Sequence, residues 1–297
     1  MTTSAVNDRR IGLFAAWGRY PVVVAEALVA QGYEVYCLGV KGHAEEAALR
    51  PFCKAFQWNG LARYSSCLRF WRKHGVTQAT MAGKIHKTIL YRPLVFLHNV
   101  PDVRAFTMFF RNFWLTDGDR RDDTLLGTVV REFAKDGVEF APATDFAPEL
   151  LVKFGQLSRR APTALERKDI EFGWNLAKEM GRLDIGQSVV VKGRNALAVE
   201  AIEGTDACIR RAGELCRAGK FTVVKVAKPQ QDMRFDVPTI GLGTLEQIVA
   251  AGGSCLAVEA GKTIIIDEPA VRAFADRHGI ALVAYSAAEQ AGASEAA

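Results

Sequence analysis

None of the six cysteines (Cys37, Cys53, Cys67, Cys208, Cys216, Cys255) pairs in C-x-x-C spacing, and none of the five histidines stands at a metal-binding interval. Their absence excludes a disulfide framework and a structural zinc site, and points to reduced thiols. No apolar run reaches the roughly 20 residues that a membrane-spanning helix needs. The opening residues Met1 to Arg9 lack the apolar core of a secretory signal, so the expected location is the cytoplasm. A G-x-G-x-x-G fingerprint is missing too, which argues against a nicotinamide-dependent oxidoreductase. Charge of either sign is not in large excess: the net charge of +5 does not call for nucleic acid, although it suits an anionic ligand or an anionic membrane surface. What remains is a chain of 297 residues, 49% hydrophobic, able to bury a large core and long enough for two domains.

The first half opens as β-α-β. An apolar strand from Ile11 to Ala15 is followed by the turn Ala15-Ala-Trp-Gly-Arg19, a helix from Tyr20 or Pro21 to Ala30, and a second strand from Glu34 to Leu38. Pro21 in the first helical turn and Gly32 beyond the last one are the usual punctuation of helix ends. A strand that feeds a helix N-terminus presents backbone N–H groups to a phosphate, which makes Trp17, Gly18 and Arg19 candidates for nucleotide contact, beside the plain reading of a structural turn. Leu61, Tyr64, Leu68 and Trp71 recur at helical spacing. The strand Gln78 to Ala82 then runs into Gly83-Lys84, a second glycine-plus-cation loop that would lie near Gly18 if the two strands are neighbours. Tyr91 to Leu115 gathers Tyr91, Phe96, Phe106, Phe109, Phe110, Phe113 and Trp114 with Arg104 and Arg111. It reads either as core or as an apolar surface for lipid chains or a membrane face. Asp122 to Lys135 is an amphipathic helix, and Val138 to Phe140 a short strand.

Prolines 142, 148 and 162 mark a junction, dividing the chain into domains 1–142 and 143–297. Beyond it, Glu166 to Met180 is helical with Ile170, Trp174 and Ala177 on one face, and strands follow at Ser188 to Val191 and Ala196 to Glu200. The next helix carries Cys208, Ala212 and Leu215 or Cys216 on its apolar stripe. Thr205 is expected to cap it, and Asp206 in its first turn is favoured as an anion by the helix dipole. The last dozen residues have the composition of a frayed end.

Between Lys225 and Gly241 the strand Phe221 to Val226 breaks at Pro229, just after Lys228, and Gln230, Gln231, Asp232, Arg234 and Asp236 crowd between two prolines. Asp206, Asp232 and Asp236, with Glu203 in reserve, offer only oxygen donors, which favour a hard cation such as Mg²⁺ over zinc. On a straight strand Asp232 and Asp236 would start about 13 Å apart at roughly 3.3 Å per residue, so a shared ion requires a compact turn. Lys225, Lys228 and Arg234 would then meet the charges of a polyanionic ligand. The plain alternative is a solvated turn laced with ion pairs.

The chain resembles the UDP-2,3-diacylglucosamine pyrophosphatase family of the LpxI type, of bacterial lipid A synthesis. The residues that carry the resemblance are Gly-Arg-Tyr-Pro at 18–21, Ala-Gly-Lys at 82–84, Arg-Ala-Pro-Thr at 160–163, Leu-Asp-Ile-Gly-Gln at 183–187, Ala-Val-Glu-Ala-Ile-Glu-Gly-Thr-Asp-Ala at 198–207 and Lys-Pro-Gln-Gln-Asp-Met-Arg-Phe-Asp-Val-Pro-Thr-Ile-Gly at 228–241. The resemblance implies an α/β protein with a Rossmann-like N-terminal domain and a second α/β domain particular to the family. It also implies a homodimer and Mg²⁺-dependent attack of water on the α-phosphorus, releasing UMP and 2,3-diacylglucosamine 1-phosphate. On it rest catalytic and metal-binding roles for Asp206, Asp232 and Asp236, Asp232 foremost. Substrate contacts are implied for Trp17, Gly18, Arg19, Gly83, Lys84, Gln187, Thr205, Lys225, Lys228 and Arg234. Peripheral contact with the inner membrane would suit an acylated substrate. The turn Ala-Ala-Trp-Gly has less glycine than is usual in the family, and Gln230 replaces a frequent glycine; a UDP-sugar sensor or scaffold that does not hydrolyse its ligand is the alternative.

Overall fold

The computed structural model describes residues 9–84, 102–107, 122–234 and 236–286, without the side chains of 122–125. The chain divides into two compact units, Met1–Pro148 with Asp232–Phe235, and Glu149–Gln231 with Asp236–Ala297.

In the first unit, strands β1 (Arg10–Ala15), β2 (Glu34–Val40), β3 (Cys53–Asn59), β4 (Gln78–Ala82) and β5 (Glu139–Phe140) form one sheet in the order β3-β2-β1-β4-β5. All neighbours are parallel. This order, shared by doubly wound α/β sheets, reverses direction between β1 and β4, where such sheets take their ligands. Helix α1 (Tyr20–Ala30) has the expected proline in its first turn and buries Val22, Val24, Ala25 and Leu28. Helix α3 (Tyr64–Lys73), which follows the single turn α2 (Glu46–Leu49), buries Tyr64, Leu68 and Trp71. Trp71 packs its ring against Phe133 and Phe140 and donates its indole N–H to the Tyr36 carbonyl at 3.2 Å. Phe133 comes from α4 (Asp122–Lys135). β3 was not legible in the sequence, because its residues are only partly buried and carry no clean alternation.

Of the aromatic stretch, Tyr91, Phe96, Phe109, Phe110, Phe113, Trp114 and Arg111 lie outside the described residues. Within it, Phe106 is 58% exposed, and Arg104 pairs with Asp136 at 2.9 Å while lying over the Tyr64 ring. Of the last dozen residues, which read as frayed, all but Ser286 also lie outside.

After the short helix α5 (Ala143–Phe146), the second unit holds a six-stranded sheet ordered β6-β13-β11-β9-β7-β8, from β6 (Gly155–Gln156), β7 (Ser188–Lys192), β8 (Asn195–Val199), β9 (Thr222–Lys225), β11 (Cys255–Glu259) and β13 (Ala281–Tyr285). β9, β11 and β13 are parallel; β6, β7 and β8 pair antiparallel. A two-stranded ladder joins β10 (Thr239–Ile240) to β12 (Ile264–Ile265). Alternation along the sheet builds two apolar layers. Val189, Val191 and Val224 meet Ile170, Trp174 and Ala177 of α6 (Ala164–Arg182). Val190, Ala198 and Val223 share the opposite layer with Cys208 and Ala212 of α7 (Thr205–Leu215), Leu245 and Ile248 of α8 (Leu242–Ala250) and Val271 and Ala275 of α9 (Glu268–His278).

Helix α6 begins with a capping box. Thr163 Oγ1 accepts from the Glu166 backbone at 3.2 Å, and the Glu166 carboxylate accepts from Thr163 N at 2.8 Å. That carboxylate also takes Arg160 Nη2 at 2.7 Å and Ser254 Oγ at 2.7 Å. Burial pushes it up, but these donors outweigh burial and hold Glu166 below the ordinary carboxylate range.

Two expectations for α7 are corrected. Thr205 is not its cap: Gly204 is, without a side-chain cap bond, and Thr205 is the first helical residue with its hydroxyl turned inward. The apolar stripe ends at Ala212, since Leu215 is 66% exposed and Cys216 only half-buried. The helix stops at Leu215, too early for another turn to face the core.

Candidate active site

In the first unit the candidate residues Trp17, Gly18, Arg19, Gly83 and Lys84 lie just past the carboxyl ends of β1 and β4. Ala16 N donates to Ala82 O at 2.8 Å; beyond it Trp17 and Lys84 exchange backbone hydrogen bonds at 3.1 and 3.0 Å. The expected proximity of Gly83-Lys84 to Gly18 therefore holds, and it follows from strand adjacency. Gly83 has φ +99°, and a Cβ there would lie 2.7 Å from Pro21 Cγ, 2.8 Å from Ala16 C and 2.9 Å from Trp17 O. Gly18 has φ +101° but faces open space, so its backbone is open to close approach by a ligand. Trp17 (48% exposed), Arg19 and Lys84 flank it at the surface. An aromatic face and two cations beside a helix N-terminus suit a base or sugar ring next to phosphate. At the first residue of α1, the Tyr20 hydroxyl is buried without a hydrogen-bond partner, and burial raises its pKa well above the ordinary phenol value.

In the acidic loop, Asp232 and Asp236 accept hydrogen bonds from different side chains. Asp232 takes Arg234 Nε at 2.9 Å, Arg234 Nη2 at 2.5 Å and Arg234 N at 3.1 Å. The Arg234 hydrogen bonds come first among the causes that hold Asp232 below the ordinary carboxylate range, and they raise Arg234 in turn. Asp236 accepts from the Gln231 side chain. Lys228 forms an ion pair with Asp184 at 2.7 Å. Asp206 is exposed in the first turn of α7.

Lys225 and Thr205 come together with two residues that sequence reasoning missed, Glu200 and Ser188. Register places Ser188 opposite Lys225 across β7 and β9, and Glu200 N donates to Ser188 O at 2.9 Å. Thr205 Oγ1 donates to Glu200 Oε1 at 2.9 Å, receives Lys225 Nζ at 3.3 Å and lies 3.3 Å from Ser188 Oγ. Lys225 Nζ also donates to Thr239 O at 3.0 Å. Glu200 is 8% and Lys225 7% exposed. Glu200 Oε2 and Gln187 Oε1 are buried with no hydrogen-bond partner. The signal for Glu200 was present: it follows Ala198 by two at the end of an alternating strand, so its side chain shares the inward face.

Among the described residues, no three acids, histidines or cysteines gather closely enough to hold a metal ion. Among the same residues, no helix is long and apolar enough to cross a membrane.

Residues 10–150 match the model of the LpxI N-terminal domain, and residues 153–283 that of the LpxI C-terminal domain. The chain is 31% identical over 280 residues to a protein of Caulobacter vibrioides described as UDP-2,3-diacylglucosamine pyrophosphatase LpxI, covering 92% of this chain and 96% of that relative. Matched in both halves, in the same order and over nearly all its length, the chain belongs to the LpxI family.

Proposed function

We propose that the protein hydrolyses the pyrophosphate of UDP-2,3-diacylglucosamine by attack of water on the α-phosphorus, giving UMP and 2,3-diacylglucosamine 1-phosphate. The observation that carries this is the likeness to the Caulobacter vibrioides relative across 92% of the chain, both halves included. The first unit is read as a Rossmann-like nucleotide site. There Trp17 stacks on the uracil or ribose, while Arg19, Lys84 and the N-terminus of α1 neutralise the diphosphate. Gly18 lets the backbone approach it.

Asp232, kept ionised by Arg234, accepts hydrogen bonds but is a poor proton abstractor at neutral pH, so its role is to orient the attacking water. Mg²⁺ commonly needs only one or two carboxylates besides substrate phosphates, so the proposed requirement for it does not depend on a three-aspartate cage. Bound on the diphosphate, it would supply charge neutralisation. Gln187, Lys228 and Arg234 are assigned to the ligand side, Thr205 and Lys225 to the support beneath the first turn of α7, and Asp206 and Asp236 are the further candidate carboxylates. We read the protein as a cytoplasmic homodimer that meets its acylated substrate at the inner-membrane surface.

Incubation with UDP-2,3-diacylglucosamine and Mg²⁺ tests the reading: UMP should appear and should vanish with a chelator. The side-chain hydrogen bonds already accepted by Asp232 and Asp236 favour one competing reading, a UDP-sugar sensor or scaffold. Tight binding without UMP release would decide for it.

A further inference from the structure

Glu200, Thr205 and Lys225 form a carboxylate–hydroxyl–ammonium chain, 2.9 and 3.3 Å per link, whose two charged ends are buried. Buried ionic groups of this kind are poor sources of stability, because desolvation offsets most of their attraction, and an apolar trio would serve a core as well. The chain also leaves Glu200 Oε2 buried and unpartnered, a cost that a residue kept only for packing would avoid. Its geometry shows what it accomplishes. Helix α7 starts at Gly204 without a side-chain cap, so the usual local anchor of a first turn is missing. The anchor is instead the Thr205 hydroxyl, gripped from below by Glu200 and Lys225 and flanked by Ser188. The same first turn carries Asp206.

Resting on the functional reading above, we propose that Glu200 is a positioning residue for the reaction: by fixing the Thr205 hydroxyl it sets the orientation of the first turn of α7, and with it that of Asp206. Glu200 acts through Thr205 and does not itself meet the reacting atoms.

The test measures UMP release from UDP-2,3-diacylglucosamine with Mg²⁺, for the full-length wild type and for Glu200→Gln, Thr205→Val, Thr205→Ser and the double variant Glu200→Gln/Thr205→Val. Misplacement of a catalytic group by a fraction of an ångström should lower kcat at least ~10-fold in Glu200→Gln and in Thr205→Val, with KM changed by less than ~3-fold. The double variant should be no slower than the slower single, since both cut one chain. Thr205→Ser, which keeps the hydroxyl, should recover most of the loss seen in Thr205→Val. Unchanged kcat in Glu200→Gln with a lowered Tm, or multiplying losses in the double variant, would overturn the proposal. If Glu200→Gln does not fold, the Thr205→Ser and Thr205→Val pair decides, and equal kcat in the two rejects it. A wild type that releases no UMP overturns the functional reading instead, and the role of Glu200 falls with it.

Discussion

Trp17 and Lys84 are joined by two reciprocal backbone hydrogen bonds, N to O at 3.1 Å and N to O at 3.0 Å, which lock the loop after β1 to the loop after β4. The lock extends the pairing of two parallel strands past their ends, and it holds an exposed indole and an exposed ammonium at the point where the strand order reverses.

Gly83→Ala tests that lock. The added methyl would meet Pro21 Cγ, Ala16 C and Trp17 O within 2.9 Å, and two of those are backbone atoms. Together with the left-handed φ, a loss of about 2–4 kcal/mol in urea unfolding and a clear drop in UMP affinity by calorimetry are expected. Gly18→Ala faces open space and should cost only about 1–2 kcal/mol, from its φ alone.

Asp232→Ala should turn the substrate over at least ~10²-fold more slowly while still binding it, the usual scale for losing one polar group that acts on the transition state. Single-turnover UMP release together with equilibrium binding would separate the two effects. Normal turnover would remove Asp232 from the mechanism.

Acid should destabilise the second unit through Glu166. Its folded pKa is depressed, so its contribution is present above the unfolded value of about 4.3 and is lost as pH falls through the lower folded value. Unfolding midpoints measured from neutral pH down to about pH 3 should fall more steeply for the wild type than for Glu166→Gln.

Asp169 clamps the turn between β7 and β8, accepting Gly193 N at 3.1 Å and Arg194 N at 2.6 Å. Arg194 sits at φ +57°, a conformation the clamp helps to hold. Asp169→Ala should cost about 1–3 kcal/mol in denaturant unfolding, with kcat little changed.

Most elements were legible because their signals are local. The strand Gln78–Ala82 and the helix Asp122–Lys135 have the bounds that periodicity and terminal glycines suggested. β3 escaped because partial burial blurs its alternation. The nearness of Gly18 and Gly83 was legible only on condition that their strands were neighbours, and the pairing of β1 with β4 supplies that condition. Thr205 was misread as a cap because a hydroxyl before a helical stripe looks the same whether it bonds its own helix or a distant carboxylate. Spacing also shows which charges are close in the chain, not which satisfy one another. The Asp232–Arg234 fork, the Lys228–Asp184 pair and the Glu200–Thr205–Lys225 chain all depend on that second fact.

Strand β13, last in sequence among the described strands, lies inside its sheet between β6 and β11. A ribosome must therefore deliver the polypeptide as far as Tyr285 before that sheet can close, whereas the first unit's sheet needs nothing beyond Phe140. During synthesis the first unit's sheet can form before the second is complete, leaving β11 without the strand that covers its edge until β13 arrives.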